Sequence, residues 1–442
     1  MEKKRDGFSS RVGFVLACIG SAVGMGNIWR FPNLVSTYGG LTFILPYIIF
    51  VVLIANTGII EEFALGRGAG AGPVGAFGWA TEKRGNKRIG ELIGTIPVLG
   101  SMALAIGYTV VMAWIIKYAF MAFSGELMAM GDNMDIIGAT FSLTADTWGA
   151  NPWILIAVLL AFIIMGNGIS KGIEKANKVM MPVLFLLLIG LGIYIATLSG
   201  SAEGYKYIVT LNPAGLADPK VWIFAFGQAF FSLSVAGNGS VIYGSYLDKK
   251  ESIPRSAANV AIFDTLAALL AALVIIPAMA TTGEKLSAGG PGLMFIYLVR
   301  VFNGMASGRI VGIVFFTCVL FAGLSSIINL YEAPVAHIQD AFNLKRPVAT
   351  AIILVIGGVI ALLIQHITSQ WMDVVSIYIC PLGALLAGIM FFWVLKKKDA
   401  LKEVNTGAGH KIGTVFYPLG KYVYIACTIV ALVAGALLGG IG

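Results

Sequence analysis

Three polar or charged side chains stand inside long apolar stretches of this sequence, where they could bind an ion or a small solute. Asn27 and Arg30 lie in the stretch GSAVGMGNIWRFP, and Asp264 lies in AANVAIFDTLAALL. A charge inside a membrane segment is costly unless it is paired or hydrated, so Arg30 and Asp264 are functional-site hypotheses by default. For Asp264 the alternative is a structural hydrogen bond. These side chains could bind a cation through oxygen atoms and an anionic group through the guanidinium of Arg30.

Residue types that usually serve catalysis or hold a resident metal are scattered along the chain. His337, His366 and His410 have no metal-ligand spacing, and no Ser-His-Asp or HExxH pattern occurs. The run GAGPVG at residues 70–75 fits a dinucleotide-binding motif, but it follows an apolar helix and not a strand. We therefore predict that the chain is not an enzyme.

The elements that must position these side chains are membrane-spanning helices. Of the 442 residues, 58% are hydrophobic and only 12% are charged. Apolar runs near or beyond the roughly 20 residues that cross a bilayer recur along the whole chain. We predict eleven such spans, centred near residues 22, 52, 108, 161, 188, 232, 267, 320, 355, 382 and 430. The fold class expected is an all-α integral membrane protein without a soluble domain.

Lys and Arg gather in alternate connecting segments, as the positive-inside rule requires of cytoplasmic loops. Basic clusters lie at residues 3–5, 83–88 and 171–178, whereas the segment between spans 3 and 4 is acidic. The amino terminus is therefore predicted to be cytoplasmic and the carboxy terminus to lie outside. The net charge of +8 is explained by this topology, so it does not indicate a nucleic-acid partner. The predicted partner is the lipid bilayer.

Spans 1 and 6 are both interrupted by residues that disfavour a helix. Span 1 contains three glycines and a proline within residues 20–32, and span 6 contains SLSVAGNG at residues 232–239. Interrupted segments at corresponding positions of two halves, here spans 1–5 and 6–10, indicate an inverted-repeat transporter with its site at the membrane midplane. The alternative is that these glycines only allow close helix packing.

Several motifs together resemble the neurotransmitter:sodium symporter family. They are GSAVGMGNIWRFP in span 1, PYIIF and EEFALGRG in span 2, GYTVVMAW in span 3, GQAFFSLS in span 6 and FAGLSS in span 8. The chain looks most like the bacterial amino-acid branch with the leucine-transporter fold, of the eleven-span type that includes multi-hydrophobic amino acid and tyrosine transporters. A location in the bacterial inner membrane is thereby implied.

The resemblance implies one transmembrane transporter domain over residues 1–442, built as a 5+5 inverted repeat. Spans 1–5 would occupy about residues 11–198, spans 6–10 about residues 218–396, and span 11 about residues 415–441. Spans 1 and 6 would be unwound near their centres.

Two sodium sites made only of oxygen ligands are also implied by the resemblance, and hard cations prefer such ligands. The first would use Ala22, Asn27, Ser232 and Asp264, completed by the substrate carboxylate. The second would use the carbonyls of Gly20, Val23 and Ala322 and the hydroxyls of Ser325 and Ser326. Taken singly, Ser325 and Ser326 are more typical of hydroxyls bonded within their own helix, and only the surrounding FAGLSS pattern favours the sodium site.

The resemblance places an amino-acid pocket between the broken spans. Its residues would be Ser21, Ala22, Met25, Gly26, Leu104, Tyr108, Phe231, Ser232, Ser234, Ala236, Gly237, Asn238, Ser326 and Leu330. Gly24 stands where monoamine-transporting relatives have an aspartate, which implies a substrate with its own carboxylate. Tyr108 would bind that carboxylate, although a purely packing tyrosine is the alternative. Ala236 and Gly237 leave room for large side chains, including aromatic ones.

Gate residues and a flexible segment are implied in the same way. Arg30 with Asp373 would form the outer gate, and Arg5 with Asp340 the inner gate. Arg5 alone could simply set the membrane topology. Gly172 and Pro182 in span 5 match a spacing that lets the cytoplasmic half of that span unwind, and an ordinary proline kink is the alternative.

The function predicted from these features is sodium-coupled import of hydrophobic, aliphatic and aromatic, L-amino acids by alternating access. Two sodium ions would be required and no chloride, because Asp264 stands where chloride-dependent relatives have a neutral asparagine. A proton could replace sodium on Asp264 during the return of the empty carrier. The alternative function is an amino-acid-sensing receptor or a channel with the same fold.

Overall fold

The structure is a computed structural model that describes residues 7–235, 238–283, 292–409 and 411–440. Within these residues, every regular element is a helix. Eight of the described helices are long and apolar enough to cross a membrane. They are Gly40–Ala69, Lys87–Ser124, Ile169–Ala196, Ile253–Ala280, Gly308–Phe342, Arg346–Leu363, Gln365–Val394 and Phe416–Leu438, which correspond to spans 2, 3, 5, 7, 8, 9, 10 and 11.

The other predicted spans are shorter or interrupted. Span 1 consists of Arg11–Ala22 and Gly26–Tyr38, which meet at a bend of 53°. Span 4 is the apolar helix Asn151–Gly166 of 16 residues. Span 6 consists of Pro219–Ser232 and Gly239–Gly244. The prediction of eleven spans is consistent with this arrangement of the described helices.

The break in span 1 begins where Val23 leaves the helix. Its ψ of 96° is extended, so its carbonyl turns away from the preceding helix. Gly24 and Gly26 follow, and glycine costs about 1 kcal/mol relative to alanine inside a helix. The side-chain oxygen of Asn27 accepts the backbone N–H of Gly24 at 3.0 Å. A side chain thus satisfies a backbone group that the break has released, as the membrane interior requires.

Span 6 breaks at the equivalent point of the second half. Asp218 caps its first helix by accepting the backbone N–H of Lys220 at 2.9 Å. After Ser232, the backbone of Ser234 and Asn238 has positive φ, 57° and 51°. Ala236 and Gly237, predicted to line the pocket, lie outside the described residues. The prediction that spans 1 and 6 are both interrupted is confirmed.

Spans 3 and 8 pack along each other and carry one wall of the interior. Two buried hydrogen bonds join them: Ser101 donates to the carbonyl of Leu330 at 2.7 Å, and the hydroxyls of Thr109 and Tyr331 lie 2.9 Å apart. By contrast, large aliphatic side chains such as Leu99, Leu186 and Leu437 are exposed on the outer surface. An apolar perimeter around a partly polar centre is the arrangement expected of a protein in lipid.

Candidate ion and substrate site

A central cavity lies where the two broken spans face spans 3 and 8. It is lined by Ser21, Ala22, Gly24, Gly26, Asn27, Leu104, Tyr108, Phe231, Ser232, Ser234, Gly239, Ser326, Asn329 and Leu330. Most of the residues predicted for the pocket are therefore brought together. Met25 is buried beside the cavity without lining it.

At one side of the cavity, the fully buried carboxylate of Asp264 collects hydrogen bonds from two other spans. Ser232 of span 6 donates to its two oxygens at 2.8 and 3.0 Å, and the side-chain nitrogen of Asn27 donates to Oδ1 at 2.7 Å. The Tyr47 hydroxyl of span 2 lies 3.5 Å from Oδ2. Three residues predicted for the first sodium site, Asn27, Ser232 and Asp264, thus form one hydrogen-bonded cluster, in which the amide oxygen of Asn27 is turned to Gly24.

The residues of the predicted second sodium site meet where span 1 passes span 8. A Cβ atom added to Gly20 would lie 3.2 Å from Cβ of Ser325, and one added to Gly24 would lie 2.5 Å from Oγ of Ser326. Both serine hydroxyls donate to the carbonyl of Ala322 at 3.0 Å. The structure therefore places Gly20 of span 1 against Ser325 of span 8, and it also shows the helix-bonded hydroxyls that were the alternative.

Gly26 allows the aromatic ring of Phe231 to approach the break in span 1. A Cβ atom at Gly26 would lie 3.2 Å from Cδ1 of that ring. The Arg30 guanidinium lies over the same ring, 4.6 Å from its centroid. This cation–π contact joins span 1 to a residue of span 6 that lines the cavity.

The predicted outer gate is not joined by an ion pair in the described part of the chain, where Arg30 stacks on Phe231 and Asp373 is exposed. Arg5 of the predicted inner gate lies outside the described residues. Asp340 lines a second cavity together with His337, Lys87 and Glu91, between the loop that follows span 2 and the ends of spans 3 and 8. The gate roles remain predictions.

Gly172 lies in a wide helical turn, Ile169–Glu174, at the start of span 5. A side chain on Gly172 would collide with the backbone carbonyl of Ile164. Pro182 lies inside the continuous helix Lys175–Ala196. The chain is thus helical at both positions, and unwinding between them remains a prediction.

Two polar residues of the site region have roles that the sequence did not indicate. Asn329 lines the cavity and is buried one helical turn after Ser325, a spacing that could have drawn attention to it. Asn238, predicted for the pocket, instead donates its side-chain amide to Glu62 Oε1 at 3.0 Å. The local sequence of span 6 does not indicate whether the side chain of Asn238 faces the pocket or faces Glu62.

Residues 5–134 and 139–438 match the model of the sodium:neurotransmitter symporter family. The chain belongs to this family. A symporter relative described as an uncharacterized sodium-dependent transporter of Bacillus subtilis is 32% identical over 453 residues and covers 98% of both chains. Another, from Methanocaldococcus jannaschii, is 30% identical over 93% of this chain and 86% of its own.

The fold of the symporter family is also seen in a solved structure, that of MhsT in complex with L-phenylalanine. It matches 98% of this chain and all of its own, with a TM-score of 0.85 and 31% identity. The predicted family, the all-helical leucine-transporter fold and the absence of an enzymatic function are thereby confirmed. The protein is a sodium-dependent symporter of the membrane.

Proposed function

We propose that this symporter couples the inward movement of sodium to the import of hydrophobic L-amino acids. The observation that carries the proposal is the central cavity, in which apolar walls from Leu104, Phe231 and Leu330 adjoin the polar cluster of Asn27, Ser232 and Asp264. An apolar pocket with a few convergent polar groups suits a small amphipathic solute. The similarity to MhsT, which was crystallised with L-phenylalanine, supports an amino acid as that solute.

Two sodium ions are proposed as co-transported ligands, one at the Asp264 cluster and one between Gly20 and Ser325. Two ions crossing about 100 mV release roughly 4.6 kcal/mol, and a tenfold sodium gradient adds about 1.4 kcal/mol for each ion. Together these terms could concentrate a neutral solute some 10⁵-fold. Spans 1, 2, 6 and 7 would rock against the remaining spans, so that the cavity opens to one side of the membrane at a time.

Transport is further proposed to need no chloride, because the buried carboxylate of Asp264 supplies an anion beside the first sodium site. When sodium and substrate leave, that charge loses its counterion inside the protein. A proton can then bind Asp264 and return with the empty carrier. Uptake should therefore be stimulated by an acidic interior, and replacement of Asp264 by Asn should remove this stimulation.

The side-chain part of the pocket is proposed to accept large residues, including aromatic ones, because the family resemblance assigns the small residues Ala236 and Gly237 to its wall. Replacing Gly237 with Phe should weaken the uptake of Trp and Tyr more than that of Leu, since overpacking an apolar site costs about 1–3 kcal/mol. Competition of twenty unlabelled amino acids against labelled Leu, for both proteins, measures this preference. Equal losses for Trp, Tyr and Leu would contradict the size argument.

The decisive experiment is uptake of labelled leucine or tryptophan into proteoliposomes that contain the purified protein. An inward sodium gradient should drive accumulation above the external concentration, and equal sodium on both sides should abolish it. We propose that the protein lies in the bacterial inner membrane with its amino terminus in the cytoplasm. The inward sodium gradient of the experiment then has the same direction as in the cell. Flux that only runs downhill and ignores sodium would indicate a channel, and binding without flux would indicate a receptor.

A further inference from the structure

Span 2 contains two adjacent carboxyl groups that the ion and substrate site does not use. Glu61 and Glu62 are both fully buried, and each lies within electrostatic reach of the other. Two carboxylates that are buried next to each other repel, so without a nearby cation one of them is expected to take up a proton. Their hydrogen-bond partners decide which of them carries the charge.

The groups that stabilise a negative charge all face Glu62. The side-chain amide of Asn238 donates to its Oε1 at 3.0 Å. The backbone N–H groups of Ser240 and Val241 are directed at the same carboxyl group. Donors from the interrupted part of span 6 thus favour an ionised Glu62.

Glu61 points the other way, toward spans 10 and 11. Neither of its carboxyl oxygens has a hydrogen-bond partner among the described atoms. A Cβ atom at Gly388 of span 10 would lie 3.8 Å from its Oε1. Tyr424 of span 11 is fully buried beside Glu61. The Tyr424 hydroxyl has no hydrogen-bond partner of normal geometry in the described part of the chain.

No cation reaches this junction from the described elements that pack against span 2. Arg67, further along the same span, is held by Glu403 at 2.7 Å and by the carbonyl of Glu251. The titratable groups in electrostatic contact with Glu61 are Glu62 and Tyr424, and neither is positively charged. A charge on Glu61 would be uncompensated, whereas a neutral carboxyl group costs far less to bury.

We propose that Glu61 is a proton-binding site: its carboxyl group holds a proton in the described conformation, while Glu62 holds the negative charge. The proton lets span 2 pack against Gly388 and Tyr424. Removing it would place a second negative charge in the junction and weaken that packing. The effect is expected to appear as the pH rises, because the stabilising form is the protonated one.

Infrared spectroscopy of the purified, lipid-reconstituted protein tests the protonation directly, in the absence of substrate. Replacing Glu61 with Gln, a neutral side chain of the same shape, should remove one protonated-carboxyl band from the spectrum. Replacing it with Asp should shift the band without removing it. The matched control is Glu332→Gln, because Glu332 is equally buried but pairs with Arg346 at 2.6 Å and should contribute no such band.

Thermal unfolding of the same preparations at increasing pH gives a second measurement. The wild-type protein should lose stability on the alkaline side more steeply than Glu61→Gln, whose junction stays neutral at every pH. An unchanged carboxyl band together with an unchanged pH profile in Glu61→Gln would overturn the proposal. So would loss of the band in Glu62→Gln and not in Glu61→Gln. Neither readout depends on which solute the symporter carries.

Discussion

At the scale of single residues, Asp264 should decide the dependence on chloride. In Asp264→Asn the anionic ligand is lost, and an interaction with a charged group is worth about 1.5–3 kcal/mol. Uptake in chloride-free medium should therefore fall about 10- to 150-fold and recover when chloride is added. Initial rates of labelled phenylalanine uptake in gluconate and in chloride measure this effect.

The control for that variant is Asp373→Asn, which removes an exposed carboxylate of span 10, whereas Asp264 is fully buried in span 7. It should leave uptake indifferent to chloride. If Asp264→Asn is fully active without chloride, the carboxylate is not the anion of the transport site.

Gly20 should be intolerant of even one added methyl group. A Cβ atom there would collide with the side-chain oxygen of Asn177 in span 5 and would lie 3.2 Å from Cβ of Ser325. Overpacking costs about 1–3 kcal/mol, so Gly20→Ala should raise the sodium concentration for half-maximal uptake roughly 5- to 150-fold. Gly190→Ala is a matched control, because nothing lies within 4 Å of its added atom. An unchanged sodium dependence in Gly20→Ala would mean that Gly20 of span 1 does not contribute to the second sodium site.

At the scale of elements, span 5 should control the release of sodium. Pro182 omits one backbone hydrogen bond from the helix Lys175–Ala196, and such a bond contributes about 1 kcal/mol. Pro182→Ala should therefore make the unwound form about fivefold rarer and lower the turnover rate, with sodium binding unchanged or tighter. Turnover in proteoliposomes and equilibrium binding of sodium separate the two effects.

Pro277→Ala in span 7 is the control for a general consequence of losing a proline from a helix. It should affect stability without separating turnover from sodium binding. Equal turnover in Pro182→Ala and the wild type would leave Pro182 as an ordinary kink.

How much of these elements the sequence could predict depends on the kind of signal. The breaks in spans 1 and 6 were predictable, because glycine, asparagine and proline are costly inside an apolar helix. Asn329 and Glu61 were not assigned roles, because a single polar residue on a long apolar helix has no local pattern that tells a packing role from a binding role. The roles of Asn329 and Glu61 depend on side chains from other spans, and only the tertiary structure shows which side chains lie near them.

At the scale of the whole molecule, the distribution of basic residues predicts the orientation in the membrane. An odd number of spans with a cytoplasmic amino terminus puts the carboxy terminus outside. A reporter enzyme that works only outside the cytoplasm should therefore be active when fused after residue 440 and inactive when fused within residues 83–88. Activity at the second position alone would contradict the predicted orientation, and inactivity at both positions would mean that one of spans 3–11 does not cross the membrane.

The described membrane helices differ greatly in length. Span 3 has 38 residues and rises about 57 Å, whereas the 16 residues of span 4 rise only about 24 Å. A hydrocarbon core about 30 Å thick cannot match both of them. Span 3 must tilt or protrude, and lipid beside span 4 must thin or span 4 must recede behind its neighbours. Because the apolar helix of span 4 is this short, we expect a hydrophobic mismatch at that one side of the perimeter, where lipids with short or compliant acyl chains should fit best.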